Sequence, residues 1–246
     1  MSGTNHKVIS LAGVTCLQVD PIIGQSDGTV ILYHGWGSTQ ESYLFFASII
    51  SGWGYTVIVP ELLHHGYRGT LNYADPAVLE QTFLEIVLQG SKEAVEMAEQ
   101  LGGLNNGKIG IIGHSAGGFV AAGAFAKNTD VAAAVVINGS CAWTEFYEAY
   151  LKYAGKPALS EDERAALAKH DPISLLTFED ERGLLLLHGK EDTTVPIHSQ
   201  RYFMDKKACT APGRLRMVEY SGVNHQITLK MLEQAKLWLG SHLRAN

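Results

Sequence analysis

Cysteine, positive charge and long apolar runs are all in short supply in this 246-residue chain. The three cysteines, Cys16, Cys141 and Cys209, are odd in number, far apart and without CxxC spacing. Neither a disulfide framework nor a zinc site is expected from them. Lys and Arg number 19 against 25 Asp and Glu, for a net charge of −6 and a pI of about 5.9. No basic stripe and no basic patch interleaved with aromatics occurs, which argues against a nucleic-acid partner. No apolar run approaches the roughly 18 residues of a membrane span. The opening stretch, MSGTNHKVIS, is polar and lacks the apolar core of a signal peptide, so the expected compartment is the cytoplasm. There are no internal repeats, no low-complexity tracts and no linker, and residues 1–246 read as one domain.

What is present is a chain with 46% apolar residues and 18% charged ones, ample for a core. Short β-branched runs alternate with helical patterns. Residues 6–19 read as an opening hairpin turned at Ala12-Gly13. Strands are expected at 29–33, 55–59, 109–112, 131–137, 184–187 and 214–220. Helices are expected at about 39–51, 75–101, 116–127, 196–207 and 226–243. Gly90-Ser91 should break or bend the second of these, and Gly102-Gly103 should stop it. Such alternation implies a mostly parallel sheet covered on both faces, with ligands at the carboxyl ends of the strands.

One segment interrupts the alternation. Residues 141–177 are polar and aromatic, with Trp143, Phe146, Tyr147 and Tyr150 at helical spacing. Ser160 and Glu163 form a capping-box pattern for a second short helix. This insertion is expected to lie over the site as a small helical lid. An aromatic stripe of this kind is more often core than substrate pocket; as a pocket wall it would favour an apolar acyl or alcohol group.

The chemistry centres on Gly113-His114-Ser115-Ala116-Gly117, a G-x-S-x-G pattern at the turn from an expected strand into an expected helix. A tight turn with a solvated serine would show the same five residues, so the rest of the chain has to decide. A serine hydroxyl needs a base in hydrogen-bond reach, and the base needs an orienting carboxylate. In this arrangement both follow the serine, each just past a strand end. Asp192 and His225 stand there, and the order Ser115, Asp192, His225 fits. Asp192 could instead cap its own loop through the N–H groups of Thr194 or Val195. The oxyanion needs two donors: the backbone N–H of Ala116, directly after the serine, and one from the loop His34-Gly35-Trp36-Gly37, taken as the Trp36 N–H. His114 reads as the variable residue of the turn, and His34 and His188 as packing or supporting groups.

Four motifs in order, HGWGS at 34–38, GHSAG at 113–117, HGKEDTTVP at 188–196 and GVNHQ at 222–226, make residues 29–243 resemble an α/β-hydrolase. The resemblance is strongest to the small single-domain esterases related to prolyl oligopeptidase and dienelactone hydrolase. It implies an eight-stranded sheet, a Ser115–His225–Asp192 triad and ester or amide hydrolysis through an acyl-enzyme, with no cofactor. Serine rather than cysteine at 115 argues against dienelactone hydrolase activity proper, and the lack of an N-terminal propeller against a true oligopeptidase. His64-His65-Gly66 resembles a family loop in which the histidine is structural, and no further ligands at metal-binding spacing accompany it. The expected function is a carboxylesterase acting on a small-molecule ester with a short- to medium-chain group. Thioesterase or small amidase and peptidase activity are the alternatives, as is a binding protein on the same scaffold.

Overall fold

The computed structural model describes residues 6–22, 24–105, 108–178 and 180–243. Residues 1–5, on which the reading of the amino-terminal segment partly rests, lie outside these. Two hydrophobic clusters form because each buried strand alternates its side chains between two covered faces. In β3 (Thr29–Tyr33), every residue is buried. Ile31 and Tyr33 join one cluster, and Val30 and Leu32 the other. The same division runs through β5 (Ile109–His114), β6 (Val131–Ile137) and β7 (Gly183–Gly189).

The sheet has eight strands in the order β1-β2-β4-β3-β5-β6-β7-β8. The hairpin of β1 (His6–Leu11) and β2 (Val14–Val19) is antiparallel, and β2 meets β4 (Thr56–Pro60) antiparallel. All pairings from β4 to β8 (Leu215–Tyr220) are parallel. Helices α1 (Leu44–Ser51) and α8 (Leu229–Leu243) supply residues to one cluster, and α2 (Pro76–Asn105), α3 (Ala116–Lys127) and α7 (His198–Lys207) to the other. After β4 the chain returns to the opposite side of β3 to form β5. This reversal opens a crevice above the carboxyl ends of β3 and β5, where open α/β sheets bind ligands.

Several boundaries differ from those read in the sequence. α2 is unbroken at Gly90-Ser91 and continues past Gly102-Gly103 to Asn105. Gly90 is a packing device: a Cβ there would lie 2.9 Å from a Val120 methyl group of α3, so its absence lets the two helices close up. Ser91 turns its hydroxyl back to the Val87 carbonyl at 2.7 Å, within the helix. α1 is preceded by a 3₁₀ turn over Glu41–Tyr43. α8 begins at Leu229 because Thr228 caps it, its hydroxyl accepting the Met231 N–H at 3.3 Å. Between β6 and β7 lie α4 (Trp143–Tyr153), α5 (Glu161–Ala168) and α6 (Pro172–Leu175). The capping box of Ser160 and Glu163 starts α5 as read.

The tightest packing lies where α3 leaves β5. A Cβ on Gly117 would stand 2.5 Å from the carbonyl oxygens of both Tyr33 and His34. Those are backbone atoms in a fully buried strand end and cannot step aside. Gly117→Ala is expected to destabilise the protein by about 3 kcal/mol or more, or to leave it insoluble. Urea unfolding of the purified variant against wild type measures the loss.

Candidate active site

Ser115 sits between β5 and α3 with φ 57° and ψ −123°, a backbone conformation that costs a non-glycine residue on the order of 1–3 kcal/mol. The turn is so tight that a Cβ on Gly113 would fall 1.8 Å from the Gly117 carbonyl oxygen. Both motif glycines are therefore steric requirements. The Ser115 N–H donates to the Ile137 carbonyl at 2.9 Å, tying the turn to the end of β6.

His225 Nε2 lies 2.8 Å from Ser115 Oγ, and its Nδ1 lies 2.8 Å from Asp192 Oδ2. The carboxylate can only accept, so Nδ1 carries the proton and Nε2 presents a lone pair to the serine hydroxyl. Asp192 Oδ1 accepts the N–H groups of Thr194 and Val195 at 2.9 and 2.8 Å. The loop-capping role and the contact to His225 thus occupy different oxygens of one carboxylate. Burial raises the Asp192 pKa, but the His188 ring, with Nε2 3.5 Å from Oδ2, and the hydrogen bonds from His225 and the Val195 N–H outweigh it and hold the group well below the usual carboxylate range. Neighbouring residues lock the two loops together. Glu191 turns away and accepts the Gly222 and Val223 N–H groups at 2.8 and 3.2 Å. Asn138 accepts the Gly189 N–H at 3.0 Å, and Asn224 that of Thr193 at 3.0 Å.

His114, read as merely the variable residue of the turn, holds the His225 loop. Its Nε2 donates to the His225 carbonyl at 2.9 Å, so its Nδ1 must accept from the Tyr43 hydroxyl at 2.7 Å. Burial, then the neighbouring His225, push its pKa down to about 4. It is therefore neutral at pH 7, beside the His225 ring.

The loop after β3 runs directly against the serine: a Cβ on Gly35 would be 3.1 Å from Ser115 Cβ. The Gly37 N–H donates to His65 Nε2 at 3.0 Å, and His65 Nδ1 then donates to the Leu63 carbonyl at 2.8 Å. Both ring nitrogens are thereby committed to backbone groups. Burial lowers the His65 pKa to about 4. Trp36 Nε1 donates to the Tyr73 carbonyl at 3.1 Å. Behind them, His34 Nε2 and Glu61 Oε1 stand 2.6 Å apart, both fully buried. Glu61 went unremarked in the sequence because nothing local marks a carboxylate that meets a histidine of another loop. Ala116 is the first residue of α3, so its N–H has no acceptor within the helix.

A cavity of about 150 Å³ opens at Ser115. Trp36, Leu79 and Phe83 form one side, and Phe146, Tyr147 and Tyr150 of α4 another. Trp143, expected beside them, is elsewhere. It is 1% exposed, packs its ring over Gly123 of α3, and donates Nε1 to the Ser140 carbonyl at 3.0 Å. A larger hollow of about 500 Å³ adjoins the starts of β3 and β4, at the far end of the strands from Ser115.

A strained serine between a parallel strand and a helix, with a histidine and a carboxylate on the loops after β7 and β8, defines the α/β-hydrolase class. The chain belongs to the prolyl oligopeptidase family, which it matches over residues 87–243. It is 28% identical over 247 residues to the esterase YjfP of Escherichia coli, covering 95% of this chain and 97% of that protein. It is 27% identical over 230 residues to the putative esterase YitV of Bacillus subtilis, covering 87% and 89%. Among solved structures, TT1662 from Thermus thermophilus superposes with a TM-score of 0.81 at 22% identity, covering 98% of both chains.

Two outcomes follow from the histidines. An imidazole held neutral by the fold favours the folded state above pH 6.5, and that advantage disappears as the pH falls toward 4, because the unfolded chain takes up the proton first. His65 and His114 each contribute up to about 3 kcal/mol in this way. Urea unfolding at pH 4.5 is expected to give a clearly lower free energy than at pH 7. Tyr43→Phe leaves His114 Nδ1 buried without its donor, and a loss of about 1–3 kcal/mol is expected at pH 7. Thermal unfolding reads it directly.

Proposed function

We propose that this protein is a serine hydrolase that cleaves short- to medium-chain carboxylic esters through an acyl-enzyme. The observation that carries the reading is the unbroken chain Asp192–His225–Ser115, with both contacts at 2.8 Å, ending at an apolar cavity. Ser115 attacks the ester carbonyl while His225 Nε2 takes its proton and passes it to the departing alkoxide. Asp192 keeps His225 in the required tautomer and stabilises its cation. The N–H groups of Ala116 and Trp36 hold the oxyanion. Water then repeats the cycle on the acyl-enzyme. The esterase names of YjfP and YitV support the same substrate class.

The cavity supports the size of the group. A space of 150 Å³ holds about one benzene ring, or roughly six carbon atoms. On this reading the segment 141–177, whose Phe146, Tyr147 and Tyr150 line that space, is a lid on a single α/β-hydrolase domain. The three thiols are unpaired, which suits a reducing cytoplasm.

The decisive measurement is turnover of p-nitrophenyl esters from acetate to decanoate by wild type and Ser115→Ala. Wild type is expected to prefer chains of about six carbons or fewer, and the variant to lose roughly 10⁴-fold or more in kcat. Retained turnover in Ser115→Ala would remove Ser115 as the nucleophile. An inactive wild type that still labels with a fluorophosphonate would redirect the search to thioesters and p-nitroanilides. A wild type that neither turns over nor labels would favour a binding protein.

A further inference from the structure

The cavity has one charged wall residue, the partly exposed Glu80 in the early turns of α2. The carboxylate is paired with Lys156 Nζ, three residues beyond the end of α4. The chain is turned to make this contact. Gly155 adopts φ +66°, and the Lys156 N–H donates back to the Leu151 carbonyl at 2.8 Å. This is a helix-ending αL turn that reverses the backbone. Toward the interior, the rings of Phe83 and Phe146 both pack on Phe119, at 5.2 and 4.9 Å. Aromatic contacts therefore join the two walls at the inner end, and an ion pair joins them at the rim.

We propose that the Glu80–Lys156 pair sets the length of the substrate group that the cavity accepts. With the pair made, the space ends after about one ring. A longer chain enters only by parting Glu80 from Lys156 and carrying its tail out between α2 and the α4–α5 connection. The pair is a graded filter. Its side chains are 31% and 41% exposed, and pairs so exposed are weak. Parting it should alter selectivity several-fold and leave the fold intact. The proposal rests on the reading of Ser115 as the nucleophile.

The test is the ratio of kcat/KM for p-nitrophenyl decanoate to that for the hexanoate. It is measured in wild type, Glu80→Gln, Lys156→Met and the exchanged pair Glu80→Lys with Lys156→Glu. The ratio is expected to rise about three- to fivefold in each single variant and to return toward wild type in the exchanged pair, which restores the attraction with its polarity reversed. A ratio unchanged in the single variants, or one that stays raised in the exchanged pair, overturns the proposal. Fluorophosphonate labelling and Ser115→Ala run alongside. Hydrolysis that survives Ser115→Ala, or a label carried by another residue, sinks the nucleophile reading and this inference with it. An unchanged ratio with Ser115-dependent labelling sinks the length filter alone.

Discussion

The site depends on the contact of α3 with the end of β3. Gly117 lies so close to the Tyr33 and His34 carbonyl oxygens that no side chain can intervene. That approach forces the turn before it into the positive-φ conformation of Ser115. The strain is small beside the burial that holds it. β5 is packed within both hydrophobic clusters and α3 within one of them, and ten of the twelve residues of α3 are buried. The hydroxyl is thus raised above the sheet by backbone contacts that do not depend on a ligand.

Around this fixed point, polar groups from distant loops are paired one by one. His65 serves the Gly37 N–H, His34 meets Glu61, His114 joins Tyr43 to the His225 carbonyl, and His188 donates to the Val195 carbonyl at 2.8 Å. His34, His65 and His114 act as connectors between loops, and His188 ties the end of β7 to the loop that follows it. Each offers one donor and one acceptor in its neutral form, which suits it to bridging a carbonyl and an N–H or hydroxyl in a dry interior. Only His225 points a free lone pair toward a hydroxyl at the crevice.

Much of the architecture could be read from pattern. The fully apolar strands, the chain order of Ser115, Asp192 and His225, and the glycines flanking the serine are local signals with local causes. What escaped was set by partners far along the chain. Gly90 resembles a helix breaker until Val120 of α3 is seen against it. Trp143 shares the helical stripe of Phe146 and Tyr150, yet the notch over Gly123 draws it into the core. Tyr43 and His114 are 71 residues apart, and no periodicity announces a hydrogen bond across that span. The starts of α1, α7 and α8 fall two to five residues later than read, for α8 because Thr228 caps it and for α1 because a 3₁₀ turn precedes it.

Val195 has a double position: its N–H is held by Asp192, and its side chain walls the cavity. Among the described contacts, the α4 wall has no such tie to Asp192 or His225. Divergence within this lineage therefore has unequal freedom on its two flanks. Under the proposed function, exchanges on α4 reshape what is admitted and leave proton transfer untouched, whereas exchanges at the β7 loop alter both together. Natural drift and laboratory libraries alike should accumulate new preferences on the inserted helices first.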